Sequence, residues 1–162
     1  MAKFLLHSTF ISLSFLVLLI ISCSSSAARS IQNPDNFIPT SAHKELQTNG
    51  FPIGLLPKNV LNYSLNKTSG DFSVNLGYTC KLTLPPDNYL ATYSKKITGK
   101  LVEGKIGELK GIRVWAFFQW WSITGIKSSG ENLVFEVGMV SAKYPAKNFD
   151  ESPECQGNHS SY

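Results

Sequence analysis

The stretch GIRVWAFFQWWSITGI, residues 111–126, constrains the fold of this chain more than any other part of the sequence. It contains all three tryptophans, and its β-branched and aromatic residues favour extended structure. Read with the two-residue period of a strand, both of its faces are largely apolar. A strand with one wet face alternates apolar and polar residues, so this pattern predicts a central strand. One face should be core, and the other should be covered by protein or by a ligand.

Turn residues divide most of the remaining chain into short segments with strand periodicity. One short helix is predicted over residues 42–48, with Ser41 as its N-cap and Asn49-Gly50 as a left-handed C-cap. The sequence FPIGLLP at 51–57 is too rich in proline and glycine for a helix or central strand, and predicts an irregular segment packed on the sheet. The predicted strands are 60–66, 71–76, 78–84, 89–99, 111–126 and 132–144, with very short strands, tight turns or bulges over 100–112.

Many short strands with almost no helix predict an all-β fold. We expect a small antiparallel β-barrel with one short N-terminal helix packed on it, because closing a barrel removes the edges that an aromatic sheet would otherwise expose.

The first 28 residues have the composition of a secretory signal peptide. Lys3 and His7 precede an apolar run over 10–21, and Ser26-Ala27-Ala28 supplies small residues for cleavage. The run is shorter than the ~20 residues of a membrane-spanning helix, so no transmembrane segment is expected once the leader is removed. The predicted divisions are a signal peptide at 1–28, a flexible lead-in at 29–40, a β-barrel domain at 41–155 and a C-terminal tail at 156–162.

The predicted export determines how the cysteines are interpreted. Removal of the leader takes Cys23 away and leaves Cys80 and Cys155 in an oxidising environment. We expect these two residues to form a disulfide that clips the C-terminal tail to the body of the domain.

Three sites match the acceptor pattern for N-linked glycans, namely Asn62, Asn66 and Asn158. Asn62 and Asn66 share a strand parity, so both should face solvent if either does.

Several functional classes have little support. The net charge of +4 comes from scattered lysines, which is typical of a solvated surface and not of a nucleic-acid interface. The mature chain would keep only His43 and His159, and no cysteine, histidine or aspartate cluster has the spacing of metal ligands. The sequence therefore predicts no catalytic constellation, no metal and no cofactor.

The surplus of aromatic residues has two interpretations. They are core and outer packing, or one face of the 111–126 strand lines an apolar pocket. Under the second interpretation, Trp115, Phe117 and Trp121 line the pocket, and Arg113 on the same face meets an anionic head group.

Short motifs also occur in a characteristic order. They are FPIGLLP at 51–57, Tyr63 with Leu65, Gly70-x-Phe72-x-Val74, Cys80, Ile97-x-Gly99, Gly104-x-Ile106-x-x-Leu109-x-Gly111, Trp121, Phe135-x-Val137-Gly138, Ser141 and Pro153-x-Cys155. Over about residues 40–155 this ordered set resembles the plant family called domain of unknown function 538. The resemblance implies a small β-barrel preceded by a short helix, often behind a signal peptide, with no agreed catalytic residues. For such barrels, a similarity to lipid-binding, bactericidal/permeability-increasing proteins and an association with chlorophyll and stress have been proposed.

Residues and resemblance together lead to a functional hypothesis. We expect a secreted, monomeric, non-catalytic protein of the apoplast or cell wall that binds an apolar or amphipathic ligand, such as a lipid, lipopolysaccharide or pigment. The first alternative is a cell-wall interaction protein that binds acidic polysaccharide through its lysines, or binds a protein partner. A pigment or ester hydrolase is the third possibility.

Overall fold

The computed structural model describes residues 39–156. One helix, α1 (Ser41–Thr48), and a 3-10 turn (Ile53–Leu55) precede the strands, and a second 3-10 turn (Ala146–Phe149) follows them. The strands are β1 (Val60–Leu65), β2 (Asp71–Leu76), β3 (Cys80–Leu84), β4 (Tyr89–Val102), β5 (Lys105–Ala116), β6 (Gln119–Ser129), β7 (Asn132–Val137) and β8 (Val140–Pro145). The signal peptide at 1–28, nearly all of the lead-in, the tail beyond residue 156 and Asn158 lie outside the described residues.

The eight strands form one antiparallel sheet in the order β1-β2-β4-β5-β6-β7-β8, and β3 also pairs with β4. Strand β4 accommodates two neighbours on one side because it is 14 residues long. Its first half pairs with β3, through Leu82 and Ala91, and its second half pairs with β2, through Phe72 and Gly99. The predicted all-β antiparallel fold with one short N-terminal helix is confirmed, but β1 and β8 do not pair, so the sheet is open and not hydrogen-bonded into a closed ring.

The chain that follows β8 packs first on β7 and then reaches β3. Phe149 packs on Phe135 of β7, with ring centroids 5.3 Å apart. Further along, the N–H of Gln156 donates to the carbonyl of Lys81 in β3 at 2.7 Å. The predicted disulfide is confirmed beside this contact: Cys80 and Cys155 are bonded, with their Cα atoms 5.0 Å apart. Residues 146–156 therefore connect β8 to β3 where strand pairing does not.

The helix ends as predicted and begins one residue earlier than predicted. Gly50 has a φ of 80°, and the N–H groups of Gly50 and Phe51 donate to the carbonyls of Gln47 and Leu46, which is the Schellman arrangement. The N-cap is Thr40, whereas Ser41 is the first helical residue. Serine and threonine are both good N-caps, so the sequence alone does not distinguish Ser41 from the adjacent Thr40. The structure shows that Thr40 is the cap.

His43 completes the N-terminal cap from a fully buried position. Its Nδ1 accepts from the N–H of Thr40 at 3.3 Å and lies 2.7 Å from the Thr40 hydroxyl, while Nε2 lies 3.4 Å from the carbonyl of Leu56. These contacts assign the proton of the neutral ring to Nε2. Burial lowers the pKa of His43 below its usual value of 6.5, so charging this ring opposes folding.

We expect acid to destabilise the protein through His43. Because its pKa is lower in the folded than in the unfolded state, its contribution is complete above pH 6.5 and is lost as the pH falls below that value. The slope can reach about 1.4 kcal/mol per pH unit. Urea unfolding measured between neutral pH and about pH 5, above the usual carboxyl pKa values, tests this. The slope should largely disappear in His43→Gln, and an unchanged slope would assign the acid sensitivity to other groups.

The face of the sheet that carries the buried side chains, called here the inner face, is packed where it meets the N-terminal region. Leu46 of α1 and Leu55 and Leu56 of the following segment lie over Ile97 and Ile112. The space left among them is only about 40 Å³, enough for about one water molecule. The irregular segment at 51–57 thus packs on the sheet as predicted.

The stretch at 111–126 is not a single strand. It contains the end of β5, a two-residue turn at Phe117 and Phe118, and most of β6. Both turn residues have positive φ, 50° and 63°, which is the type I′ pattern. Such turns strongly favour Asn-Gly, and bulky residues rarely adopt this conformation. Two phenylalanines give no turn signal, and for this reason the prediction of one central strand was wrong.

The neighbouring segments also differ from the predicted boundaries. The predicted strand at 132–144 is divided into β7 and β8 by the turn at Gly138 and Met139, and Gly138 has a φ of 62°. Over 100–112, only Gly104 marks a turn between strands, and the rest belongs to β4 and β5. Gly111 has a φ of 101° inside β5, where the pairing with β4 is irregular, so a bulge occurs there without ending the strand.

Candidate functional site

An apolar groove of about 480 Å³ opens on the inner face, away from α1. Along β5, Ile106, Leu109 and Ile112 face the packed region under α1, whereas Val114 and Ala116 face the groove. The lining residues come from β3, β4, β5, β6, β7, β8, the adjoining turns and the second 3-10 turn. They are Leu84, Pro85, Tyr89, Val114, Ala116, Phe117, Trp121, Ile123, Phe135, Val137, Val140, Ser141, Ala142, Tyr144 and Phe149. The volume is in the range of sites that hold small molecules.

None of the groove residues is charged, and the polar atoms of their side chains are the hydroxyls of Tyr89, Ser141 and Tyr144 and the indole nitrogen of Trp121. Partial burial, with the neighbouring Tyr89 and Asp87, raises the pKa of the Tyr144 hydroxyl to about 12. This hydroxyl is therefore protonated at any physiological pH, and it is hydrogen-bonded to Tyr89 and Asp87. The groove presents an apolar wall with neutral hydroxyls on one side.

Trp121 is held in the groove by the hairpin itself. It pairs with Val114 across β5 and β6, so its ring lies on the same face as Val114. Its indole N–H donates to the carbonyl of Ala116 at 3.0 Å, just before the turn. The polar atom of the ring is thereby satisfied within the protein, and the apolar part of the ring can contact a ligand.

The predicted set of site residues is divided between the two faces of the sheet. Phe117 and Trp121 line the groove, but Arg113 and Trp115 lie on the outer face. The turn changes the parity, because Trp115 pairs with Trp120 and not with Trp121. The prediction that all four residues share one face was wrong for this reason, and Arg113 cannot meet a head group inside the groove.

On the outer face, which is opposite the inner face, Arg113 and Trp115 form an aromatic and cationic cluster with Trp120. The rings of Trp115 and Trp120 meet edge to face, with centroids 5.6 Å apart. The guanidinium carbon of Arg113 lies 5.7 Å from the centroid of Trp120, within the range of a cation–π interaction.

Sequence reasoning missed the wall of the groove that β7 and β8 supply. Val137, Val140, Ala142 and Tyr144 line this wall because the chain reverses after Val137. Gly138 was the available signal for this reversal, because glycine suits the first of the two central residues of a hairpin turn.

The other candidate residues lie away from the groove. The side chain of Asn62 is exposed on β1 and accepts from Asn75 Nδ2 at 2.6 Å, whereas Asn66 is exposed in the next turn and accepts from the N–H of Thr68 at 2.9 Å. Their glycosylation stays a prediction. Within residues 39–156, no three His, Cys, Asp or Glu side chains are grouped so that they could hold a metal ion. The same residues include no helix long and apolar enough to cross a bilayer.

The lysines required by the polysaccharide alternative are partly neutralised. Lys100 pairs with Glu108 at 2.9 Å, and Lys127 pairs with Glu136. These exposed pairs add little stability, but they reduce the positive charge available to an acidic polymer.

Comparison with known proteins gives the family of this chain. No curated protein matches the sequence. One family model matches residues 42–150, from the first turn of α1 to the end of the second 3-10 turn, and so includes the whole sheet and the groove. The chain belongs to the family described as protein of unknown function, DUF538.

Proposed function

We propose that this protein binds the apolar chain of an amphipathic ligand in the groove between the β5–β6 and β7–β8 hairpins. The observation that carries this proposal is a space of about 480 Å³ lined by uncharged and mostly apolar side chains. Transfer of a hydrocarbon chain from water to such a surface is favourable at roughly 25 cal/mol per Å² of buried apolar area. The groove is therefore suited to a single lipid or a similar apolar molecule.

The polar groups at the groove favour an uncharged head group. Tyr89, Ser141 and Tyr144 place hydroxyls at the groove that can accept hydrogen bonds, and that of Ser141 can also donate one. Asp87 lies beside Tyr144, and its carboxylate would repel an anion. Arg113 lies on the opposite face of the sheet and cannot compensate. A hydroxylated, neutral lipid should consequently bind better than a fatty acid of equal chain length.

We expect Trp121→Ala to weaken ligand binding about tenfold, because the ligand loses a large apolar contact. Binding is measured by the fluorescence of Nile red, an uncharged apolar dye, and by its displacement with monoacylglycerol below the micelle concentration. Trp120→Ala is the matched control, since the neighbouring tryptophan lies on the outer face of the same strand. In the absence of a bilayer, this control should change the affinity less than twofold.

Two results would contradict the groove as the binding site. One is equal loss of affinity in the two tryptophan variants, and the other is no dye binding to the unmodified protein. A fatty acid that displaces the dye better than the monoacylglycerol would contradict the preference for a neutral head group.

We also propose that the protein is exported. The Cys80–Cys155 disulfide supports this location, because such bonds persist mainly in oxidising compartments. Sequencing the N-terminus of the exported protein tests the proposal, and the expected first residue is Ala28 or Arg29.

A further inference from the structure

We propose that the tip of the β5–β6 hairpin docks on the surface of a lipid bilayer. Three successive levels of the hairpin and its neighbours carry side chains that match the depth profile of a bilayer interface. The proposal goes beyond the groove and does not depend on it, since most of these residues lie at the tip or on the outer face.

The first level is the turn itself. Phe117 and Phe118 are 83% and 94% exposed at the point where the hairpin ends. Both have positive φ, a conformation that is unfavourable for bulky side chains and that asparagine and glycine would adopt readily. The fold gains little burial from either ring, so stability does not explain two phenylalanines here. Exposed apolar groups of this kind mark an interaction site.

The second level is an apolar row on the outer face. Trp115 and Trp120 pair across the hairpin, and the register that pairs Ala91 with Val114 places Leu90 beside Trp115. All three side chains are partly exposed. They lie two residues from the turn, or about 7 Å at the rise of a β-strand. Tryptophan is the residue most typical of the boundary between hydrocarbon and head groups.

The third level is cationic. Thr92 pairs with Lys81 on one side and with Arg113 on the other, which places both cations in one exposed row. Arg113 lies four residues from Phe117, or about 13 Å behind the tip. No charged residue occurs between Arg113 and Lys127 in the sequence, so the tip and the tryptophan row of this hairpin carry no charge. The tip complements the hydrocarbon of a bilayer, the apolar row complements the interface, and the cationic row complements the lipid phosphates.

The acidic residues near this end do not interrupt that surface. Asp87 lies in the neighbouring turn and interacts with Tyr144 on the groove side, and Glu136 forms an ion pair with Lys127. The chemistry changes from level to level along the strand direction, as it does with depth at a bilayer interface. This order favours a bilayer over a protein partner.

Phe118→Gly tests the docking surface without a risk to folding, because glycine suits the positive φ of this residue and Phe118 does not line the groove. The full chain is mixed with vesicles of phosphatidylcholine and phosphatidylglycerol whose acyl chains are brominated. All three tryptophans lie in this hairpin, but Trp121 also lines the groove. Quenching that persists in Trp121→Phe comes from Trp115 and Trp120 on the outer face and therefore reports on docking of the hairpin itself. We expect quenching in the unmodified protein and an affinity at least tenfold lower in Phe118→Gly. Val102→Ser, which changes an exposed apolar residue at the opposite end of β4, should bind like the unmodified protein.

Arg113→Gln tests the cationic row separately. Affinity for vesicles that contain phosphatidylglycerol should fall about fivefold, whereas affinity for pure phosphatidylcholine should not change. Vesicle binding without tryptophan quenching would overturn the proposal, because another segment would then make the contact. Equal binding by Phe118→Gly, or self-association that Phe118→Gly abolishes without any vesicle binding, would also overturn it. Nile red binding without vesicles should be unchanged in Phe118→Gly, because Phe118 does not line the groove, so failure of docking is distinguished from failure of the groove.

Discussion

Replacing Cys80 and Cys155 together by alanine should lower the free energy of unfolding by about 4 kcal/mol. The bond closes a loop of 75 residues, and the chain-entropy model gives about 4.5 kcal/mol for a loop of this length. Alanine is the appropriate replacement, because Cys80 is fully buried and a serine hydroxyl there would add a desolvation penalty of its own. The expected result is a large shift of the urea midpoint with the sheet still formed.

Reduction provides the control for this prediction. A reducing agent should bring the unmodified protein close to the midpoint of the double variant, and it should leave the variant itself unchanged. A double variant as stable as the oxidised protein would show that residues 146–156 hold their position through other contacts alone.

The fold class could be predicted because local rules and the final structure agree over most of the chain. The Asn49-Gly50 signal ends α1 where a left-handed glycine is needed, and the proline-rich 51–57 segment avoids regular strand structure and packs on the sheet. Cys80 and Cys155 could be paired because the predicted leader takes Cys23 away and the inferred compartment is oxidising. The expected closure into a barrel was wrong, because β1 and β8 do not pair. The contact of the last described residues with β3 could not be predicted, because the chain after Pro145 carries no strand pattern.

The candidate site was predicted in part, and one turn accounts for the rest. Periodicity assigns faces correctly only while a strand continues, and a two-residue turn exchanges the parity of everything that follows. Trp121 and Phe117 line the groove as predicted, while Arg113 and Trp115 lie on the outer face. The turn could not be recognised from the sequence, because Phe117 and Phe118 are not residues that such turns favour. A local rule is broken here without a gain for the fold, and such positions are where function is expected.

The docking of the C-terminal segment depends on a second residue that the sequence motifs include but do not explain. Gly54 lies so close to the backbone carbonyls of Phe149 and Glu151 that a Cβ atom would overlap both oxygens. Ser152 Oγ donates to the carbonyl of Ile53 at 3.1 Å beside this contact. Backbone atoms cannot move aside as a flexible side chain would. We therefore expect Gly54→Ala to lower the free energy of unfolding by about 3 kcal/mol, near the upper end for overpacked sites.

Gly77→Ala is the matched control for Gly54→Ala. A Cβ atom on Gly77 would meet only the side chain of Leu61 at ordinary contact distance, so its effect should stay within about 0.5 kcal/mol. Combining Gly54→Ala with the loss of the disulfide tests whether both act on the same contact. Residues 146–156 are held less firmly without the Cys80–Cys155 bond, so the alanine at position 54 should destabilise that background by at least 1 kcal/mol less, measured by urea unfolding. Strict additivity would mean that the disulfide and the close approach of Gly54 stabilise separate parts of the fold.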